Sequence, residues 1–416
     1  MNASSQAAKT AAAQAQPASS QPFPLSSRSL SLRSSAVRDL LRDAQRPGML
    51  SLAGGLPAPE LFDIDGIRAA TDAALRDAPV SALQYGVTDG QPGLRAELSR
   101  LLALRGVRVE PEAIVVTTGS QQGIDVIARS VLDPADVVAV ESPAYLAALQ
   151  VFALSQADFL PIGVDGDGAI VDELIGRAGP PPKMVYLVSN FGNPSGATLS
   201  RARRLALLRW AVANRVLVIE DDPYGELRVS GQAQPSLYEL AADIPGARDW
   251  CGYLSTLSKV MAPGLRIGLA VLPPWLREAV VKVKQSLDLH TSSFVQEVAQ
   301  RYLASDRLPQ RLPMMRQVYK TRLDALSDAL TRRFGATLRF NQPEGGMFIW
   351  ARFEDGTDTG ALLPKARDRG MIYVPGEAFF QSAPDRSTLR LSYATATPEQ
   401  LDQAIERLVA AHRESR

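Results

Sequence analysis

The sequence predicts an α/β protein, in which a large domain built on a mostly parallel sheet between helices is followed by a smaller α+β domain. Two observations support this prediction. Between about residues 63 and 300, short runs of Val, Ile and Leu alternate with longer stretches of helical periodicity, which is typical of parallel strands joined by helices. After about residue 300 the alternation gives way to one long polar helix, a few short strands and a closing helix.

The individual elements follow from the same alternation. In the large domain the predicted strands cover residues 113–117, 137–140, 184–188, 216–220, 252–255 and 267–271, and the predicted helices cover 121–132, 201–214 and 275–289. In the small domain we predict helices at 308–333 and 398–413 and strands at 338–340, 347–351 and 388–392. The predicted division of the chain is a disordered tail at 1–28, a segment joining the small domain at 29–62, the large domain at 63–300 and the small domain at 301–416.

Composition and charge exclude several classes of function. The 416 residues carry a formal net charge of +1, which gives no electrostatic reason to expect a nucleic acid or an anionic membrane as a partner. The single cysteine, Cys251, excludes an internal disulfide framework and fits a reducing compartment, so we expect a cytoplasmic protein. The two histidines, His290 and His412, are too few for a multi-histidine metal site, and no run approaches the ~18 apolar residues of a membrane helix.

Lys259 and Asp221 are the strongest candidates for chemistry. Lys259 follows the apolar run 251–254 and several hydroxyl residues, and a Pro-Gly turn and Arg266 come after it. A lysine in such company is partly desolvated, which favours a nucleophilic amine able to form a Schiff base. Asp221 ends a strand made mostly of Val, Leu and Ile, where a carboxylate would be costly to bury without a partner. A protonated pyridine nitrogen is a suitable partner.

Polar residues follow four of the predicted strands at the point where each strand ends. They are residues 119–121 after the first strand, 193–196 after the third, Asp221 on the fourth and Lys259 after the fifth. In open α/β sheets, ligands bind in the crevice outside the carboxyl ends of the strands. We therefore expect these residues to meet in one crevice.

The stretch 117–123, which leads from a strand into a helix, is a candidate phosphate site. Free N–H groups of the first helical turn, close backbone approach at Gly119 and the hydroxyl of Ser120 together suit a phosphate. Arg266 would supply positive charge for a phosphate dianion. Two alternatives stay open, because Ser120 is also a favourable N-cap and an arginine such as Arg266 commonly forms a structural salt bridge.

Four further residues have both a binding and a structural interpretation. Tyr224 and Asn193 could donate to a ring hydroxyl, although Asn-Pro also simply makes turns. Tyr145 could stack on a flat ring or serve as an ordinary core tyrosine. Arg390 lies between two leucines in a strand, where it either faces solvent or clamps a substrate carboxylate. A ring-binding acid, a Schiff-base lysine, a phosphate cradle and a carboxylate clamp together describe pyridoxal 5′-phosphate as the cofactor.

Over about residues 30–416 the chain resembles the fold-type I, pyridoxal-phosphate-dependent aminotransferases of class I and II, and it is most similar to the 2-aminoadipate and kynurenine aminotransferases. The shared motifs, in chain order, are LSLAGGLP (50–57), LQYG (83–86), GSQQ (119–122), NP (193–194), EDDPY (220–224), SK (258–259), PGLR (263–266), GGMF (345–348) and LRLSY (389–393). The resemblance implies that residues 63–300 bind the cofactor. The cofactor contacts that it implies are Ser120, Gln121, Tyr145, Asn193, Asp221, Tyr224, Thr256, Ser258, Lys259 and Arg266.

The resemblance also implies a homodimer in which Tyr85 reaches the neighbour's cofactor phosphate. Gly55 and Asn193 are implied to help Arg390 hold the substrate carboxylate. Thr256 stands where relatives have serine, and it keeps the hydroxyl for the phosphate. Ser31 aligns with an arginine that reads acidic side chains in the bacterial 2-aminoadipate enzyme, so the sequence does not support a preference for dicarboxylic substrates.

The implied reaction is amino transfer between an L-amino acid and a 2-oxo acid. We expect 2-oxoglutarate as the acceptor and a 2-aminoadipate-, kynurenine-, aromatic- or branched-chain-type donor. Lys259, Asp221 and Tyr224 are the predicted catalytic residues, with Lys259 moving the Cα proton. Two alternatives stay open. One is another fold-type I enzyme, a decarboxylase or lyase; the other is the ligand-sensing domain of a transcriptional regulator, for which the roughly 30 residues before the shared region are too few to form a DNA-binding domain.

Overall fold

The computed structural model describes residues 23–30, 32, 40 and 42–415. The strands, numbered in chain order, are β1 Leu50–Ser51, β2 Ile114–Thr117, β3 Val137–Ser142, β4 Asp158–Asp165, β5 Gly168–Ala169, β6 Met184–Val188, β7 Leu217–Asp221, β8 Cys251–Thr256, β9 Gly268–Val271, β10 Leu338–Phe340, β11 Phe348–Phe353, β12 Met371–Ile372, β13 Val374–Pro375 and β14 Thr388–Ser392. The α-helices are α1 Ser27–Leu30, α2 Ile64–Asp77, α3 Pro79–Leu83, α4 Pro92–Ala103, α5 Gly119–Val131, α6 Leu146–Leu154, α7 Val171–Ile175, α8 Arg201–Asn214, α9 Leu237–Leu240, α10 Pro274–Asp288, α11 Ser293–Ala304, α12 Arg307–Phe334, α13 Thr359–Asp368 and α14 Pro398–Ser415.

A large sheet forms the centre of the chain. In the described residues it has eight strands in the order β2-β9-β8-β7-β6-β3-β4-β5. Strands β3, β4, β6, β7 and β8 run parallel to one another, and β9 lies antiparallel between β8 and β2. Strands β6 to β9 are buried along their whole length, as expected where helices cover both faces of a sheet. The predicted α/β fold class is confirmed.

The six strands predicted for this region are all present, with ends shifted by at most two residues. The five predicted helices are present as α5, α8, α10, α12 and α14. The alternation of apolar runs did not predict β4 and β5. In β4, Pro161 and Gly163 interrupt the apolar pattern, and the strand lies next to the short edge strand β5, where proline is tolerated and burial is incomplete.

A second, antiparallel sheet lies in the C-terminal part of the chain. Its order is β10-β11-β14-β13, and α12 and α14 lie against each other beside it. The N-terminal segment joins this region, because β1 pairs in parallel with β12 and Ser392 N–H donates to the carbonyl of Leu52 at 2.8 Å. This connection brings residues 53–56 beside the central sheet and next to Arg390, whose guanidinium donates to the carbonyl of Ala53.

Part of the N-terminal prediction lies outside the described residues. Residues 1–22 and Ser31 belong to that part, so the disordered tail and the substrate argument based on Ser31 stay predictions. The helix α1 begins at Ser27 and contacts α6. None of the helices in the described ranges combines the length and apolar character that a membrane span needs.

Candidate active site

A cavity of about 300 Å³ lies at the carboxyl ends of the central strands, between the two sheets. Strands β2, β6, β7 and β8 lead into it through Ser120, Asn193, Asp221 and Thr256. The cavity also brings in Gly55, Gln121, Tyr145, Tyr224, Ser258, Lys259, Arg266 and Arg390. Every residue predicted for the site except Tyr85 therefore lines one cavity. For Ser120, Gln121, Asn193, Asp221 and Lys259, this is the meeting of strand ends that the sequence predicted.

Three consecutive acids, residues 220–222, end strand β7, and they differ in their partners. Glu220 pairs with Arg204 at 3.1 Å, and Asp222 pairs with Arg105. Asp221 is equally buried, at 1% exposure, yet its partner is a neutral hydroxyl. The carboxylate that faces the cavity is thus the one of the three that has no arginine.

The surroundings of Asp221 leave one of its oxygens without a partner. Tyr186 donates to Oδ2 at 2.6 Å, while Oδ1 is buried and accepts no hydrogen bond within the described residues. Burial raises the pKa of Asp221 to about 7, against the lowering effect of the Tyr186 hydrogen bond. A buried carboxylate with a free oxygen and a raised pKa is a group that a cation would stabilise. Tyr186 was not predicted as a site residue, and its one signal in the sequence is that it is a lone tyrosine within an aliphatic strand.

Lys259 lies across the same cavity. Its Nζ donates to the carbonyl oxygen of Gly55 at 2.9 Å and lies 5.8 Å from the ring centroid of Tyr224. Burial lowers the pKa of Lys259 to about 8, and the positive charges of Arg390 and Arg266 act in the same direction. The amine is therefore partly neutral near physiological pH, which a nucleophile or a proton acceptor requires.

The turn at Gly119 and the guanidinium of Arg266 form a tight cradle. Gly119 has a φ of 74°, and a Cβ there would lie 2.3 Å from Nη2 of Arg266. A Cβ on Gly268 would lie 2.6 Å from the backbone nitrogen of Ser120. The two glycines let the start of α5, the arginine and strand β9 come together with backbone N–H groups at the cavity wall. That arrangement suits an anion.

Hydroxyl and amide groups complete the cradle. The hydroxyls of Thr256 and Ser258 lie 2.8 Å apart, and Arg266 donates to Ser258 Oγ at 3.4 Å. Gln121 donates to the carbonyl of Ala147 at 3.1 Å, which holds the first turn of α5 against α6. Behind the cradle, Gln122 bonds both to the backbone N–H of Thr118 and to Asp288, a support that the sequence analysis did not find.

Arg390 is buried, at 3% exposure, and none of its partners in the described part of the chain is a carboxylate. It donates to Asn193 Oδ1 at 2.8 Å and to the carbonyl of Ala53 at 2.6 Å. The rings of Phe348 and Phe379 lie 4.3 and 5.0 Å from its Cζ and hold the guanidinium plane between them. Burial lowers the pKa of Arg390 to about 10. The alternative of a solvent-facing edge arginine is therefore wrong.

The tyrosines of the predicted site differ in burial. Tyr224 is buried and bonds to Asn193, and burial raises its pKa above the ordinary range. Tyr145 lines the cavity half-buried, and burial raises its pKa to about 12. Tyr85 is 79% exposed and does not line the cavity of its own chain. The hydroxyls of Tyr224 and Tyr145 therefore remain protonated at neutral pH and can donate hydrogen bonds.

The residues present fit pyridoxal 5′-phosphate. The free oxygen of Asp221 suits a protonated ring nitrogen, the cradle at Gly119 suits a phosphate, and the amine of Lys259 suits an aldehyde. These features lie in one cavity, so a single molecule with all three groups can meet them together.

Comparison with known proteins identifies extended similarity. A profile of the family described as aminotransferase class I and II matches residues 61–408. Aromatic-amino-acid aminotransferase 1 of Thermococcus litoralis is 38% identical over 395 residues, which are 93% of each chain. The 2-aminoadipate transaminase of Thermus thermophilus is 37% identical over 91% of this chain and 93% of that protein. The solved structure of Pyrococcus horikoshii kynurenine aminotransferase aligns with a TM-score of 0.87 at 38% identity, over 94% of this chain and 97% of that one.

Proposed function

Because this chain belongs to the class I and II aminotransferases, enzymes that use pyridoxal 5′-phosphate to move an amino group between an amino acid and a 2-oxo acid, we propose that the described cavity performs this reaction. The observation that carries the proposal is Asp221, a buried carboxylate that has a free oxygen and no cationic hydrogen-bond partner among the described residues. It lies in the same cavity as the amine of Lys259, whose pKa is lowered.

The cofactor would be held at both ends. Asp221, supported by Tyr186, would bind the ring nitrogen, with Tyr145 against the ring and Tyr224 and Asn193 near its hydroxyl. The phosphate would lie in the cradle formed by Ser120, Gln121, Thr256, Ser258 and Arg266. When bound, pyridoxal 5′-phosphate supplies an electron sink for the pair left behind at the substrate Cα.

Lys259 would then work as the general acid and base. Its amine would accept the proton from the substrate Cα and, once protonated, would serve as the proton donor later in the same reaction. The pKa of about 8 leaves a useful neutral fraction, and the contact of Nζ with Gly55 limits where the amine points. Tyr224, whose ring lies 5.8 Å from Nζ, borders the same space.

Arg390 would hold the substrate carboxylate with Asn193 and Gly55 nearby. A guanidinium fixed between two phenyl rings presents a constant plane, and a carboxylate can accept two parallel hydrogen bonds from it. Holding the carboxylate there orients the Cα–H bond toward the amine of Lys259.

For the amino donor we propose an apolar or aromatic side chain, of the aromatic or kynurenine type. Leu56, Leu146, Ala147 and Phe379 line the cavity beside the proposed substrate position. The cations among the described lining residues are Lys259, Arg266 and Arg390, and each already has another role. The kcat/KM for phenylalanine should therefore exceed that for 2-aminoadipate. We retain 2-oxoglutarate as the proposed acceptor, to be compared with pyruvate in the same assay.

We also propose a homodimer that completes the site with Tyr85. Residues 80–87 expose a run of apolar side chains, with Val80, Leu83 and Tyr85 each more than two-thirds exposed and Val87 about half. Several large apolar side chains exposed within one short segment are a feature of protein–protein interfaces. A second copy that covers the patch could bring its own Tyr85 to the phosphate.

The predicted domain boundaries and the cytoplasmic location remain part of this proposal. The pairing of β1 with β12 supports assigning residues 29–62 to the small domain at 301–416, with the large cofactor-binding domain at 63–300. The single buried Cys251 fits a reducing compartment.

Covalent attachment of the cofactor tests the proposal directly. Borohydride treatment of the protein loaded with pyridoxal 5′-phosphate should leave a stable phosphopyridoxyl group on the peptide that contains Lys259, as detected by mass spectrometry. The variant Lys259→Ala should show no label, and Lys282→Ala, which removes an exposed lysine, should be labelled like the wild type. Labelling of another lysine in place of Lys259 would contradict the proposal.

A further inference from the structure

The turn that follows α10 holds the segment that carries Tyr85. The backbone N–H of Gly86 donates to Nε2 of His290 at 3.2 Å, and Nδ1 of His290 lies 2.8 Å from the carbonyl oxygen of Thr291. The ring of Tyr85 meets the imidazole edge-on, with centroids 5.8 Å apart. Within the described residues, His290 is the side chain that bonds to the backbone of residues 86–88.

These contacts determine the tautomer of His290. A carbonyl oxygen can only accept, so Nδ1 carries the proton that it donates to Thr291, and Nε2 is left as the acceptor for Gly86. The approach is close, because a Cβ on Gly86 would lie 2.9 Å from Ser293 Oγ and 3.7 Å from Nδ1 of His290. A neutral imidazole with its proton on Nδ1 thus connects α10 to the Tyr85 segment.

We propose that His290 is a positioning residue that aims Tyr85 at a phosphate bound in the second copy of the chain. The inference rests on the proposed function, in which Tyr85 acts across the dimer interface. In its own chain the tyrosine is 79% exposed, and its hydroxyl has no hydrogen-bond partner among the described residues, so its direction depends on how its backbone and ring are held. The hydrogen bond to Gly86 and the edge contact of the two rings provide that support.

Two isosteric variants separate this role from general packing. His290→Asn keeps a donor near the position of Nδ1 but has no acceptor at the position of Nε2, whereas His290→Gln places an amide oxygen there. The affinities of full-length wild type, Tyr85→Phe, His290→Asn and His290→Gln for pyridoxal 5′-phosphate and for phosphate-free pyridoxal would be measured by tryptophan fluorescence. For His290→Asn we expect the Kd for pyridoxal 5′-phosphate to rise about three- to tenfold, the effect of losing one neutral hydrogen bond.

The pattern across variants and ligands decides the matter. His290→Gln should bind pyridoxal 5′-phosphate like the wild type, and Tyr85→Phe should be weakened like His290→Asn. A double variant that combines Tyr85→Phe with His290→Asn should be no weaker than either single variant, and pyridoxal should bind equally to all of them. If His290→Asn binds pyridoxal 5′-phosphate like the wild type while Tyr85→Phe is weakened, the role of His290 is overturned and that of Tyr85 stands. The role of His290 is also overturned if His290→Asn loses affinity equally for pyridoxal 5′-phosphate and for pyridoxal. Wild-type affinity in Tyr85→Phe would overturn the proposed role of Tyr85 and this inference with it.

Discussion

Two buried regions meet at the end of strand β7, and they differ in whether their acidic side chains have positively charged partners. Behind the strand, Asp222 pairs with Arg105 and also accepts from Tyr253 at 3.1 Å, so its pKa is lowered although burial acts against this. In front of it, Asp221 has a tyrosine hydroxyl and a free oxygen, and burial raises its pKa to about 7. Of these two adjacent acids, Asp222 thus has a positively charged partner, whereas Asp221 has a neutral one.

The cations show the same difference. Lys284 is fully buried and meets Asp288 at 2.9 and 3.0 Å, whereas Lys259 bonds to a backbone carbonyl. Arg105 pairs with a carboxylate, whereas Arg390 is held by Asn193 and by phenyl rings. A buried charge that lacks its counter-charge is unfavourable in the protein alone. Such charges persist where a ligand supplies the missing partner, and here three of them face one cavity.

The largest expected effect comes from removing the amine of Lys259. Lys259→Ala should lower kcat by at least about a thousandfold, because the general acid and base of the reaction is lost. The measurement is steady-state turnover with a donor such as phenylalanine and 2-oxoglutarate. Lys282→Ala serves as the control, since that lysine is exposed and pairs with the equally exposed Glu278. Retention of more than a tenth of the activity in Lys259→Ala would remove Lys259 from the mechanism.

Removing the carboxylate of Asp221 should affect catalysis more than cofactor binding. Asp221→Asn should lower kcat by about 10²- to 10³-fold, the usual effect of losing one preorganised electrostatic contact. The cofactor should remain bound through the cradle at Gly119 and Arg266. Turnover and cofactor content would be measured on the same preparation, and near-normal turnover would mean that another group serves the ring nitrogen.

The stability of the cofactor-free protein tests the comparison of the two acids most directly. A carboxyl whose pKa is raised on folding destabilises the folded state above its unfolded pKa of about 4, and one whose pKa is lowered stabilises it there. At pH 8, Asp221→Asn should therefore raise the free energy of unfolding, by a few kcal/mol at most at ~1.4 kcal/mol per pKa unit. Asp222→Asn should lower it by about 3 kcal/mol, because the mostly buried Arg105 loses its hydrogen-bonded carboxylate and keeps only the more distant Glu226, at 3.6 Å.

The pH dependence gives the control for these two variants. The Asp221→Asn difference should shrink as the pH falls from about 7 to about 4, since the wild-type carboxyl becomes protonated in the folded state over that range. The Asp222→Asn difference should persist at pH 4, because the lowered pKa keeps the wild-type carboxyl ionised in the folded state. Urea denaturation at pH 8 and pH 4 would measure them. If the free energy of unfolding at pH 8 changes in the same direction in Asp221→Asn and Asp222→Asn, the two regions do not differ as described.

Arg390 should show a smaller effect that is confined to the substrates. In Arg390→Lys the parallel pair of hydrogen bonds is lost, and KM for both the amino acid and the oxo acid should rise about ten- to a hundredfold, at ~1.4 kcal/mol per decade. Cofactor absorbance should barely change. An unaltered KM in this variant would require another group to hold the carboxylate.

The smallest effect concerns the interface. Hybrid dimers of Tyr85→Phe and Lys259→Ala should contain one site with both defects and one with neither, if Tyr85 acts across the dimer. Turnover at limiting cofactor should then exceed that of either parent and approach half of the wild-type value per dimer. Absence of any restored activity in covalently fixed hybrids would place Tyr85 in its own subunit's site.

The sequence alone determined the residue types of the site and the place where they meet. Strands such as β6 and β7 are short apolar runs, and the polar residues that follow them share one edge of the sheet because parallel strands end on the same side. Asn193, Asp221 and Lys259 could therefore be predicted to converge. Each of these residues could be recognised because its neighbours in the sequence indicate a buried strand or a turn.

Only the tertiary structure decided which charges are paired. Arg105 lies 117 residues from Asp222, and Tyr186 lies 35 residues from Asp221, so nothing local in the run Glu-Asp-Asp distinguishes the acid without an arginine. The same holds for the phenyl rings around Arg390 and for His290, which is 204 residues from Gly86. Hydrogen bonds and ion pairs depend on distances of a few ångströms between distant segments, and those distances exist only once the sheet and its helices have packed together.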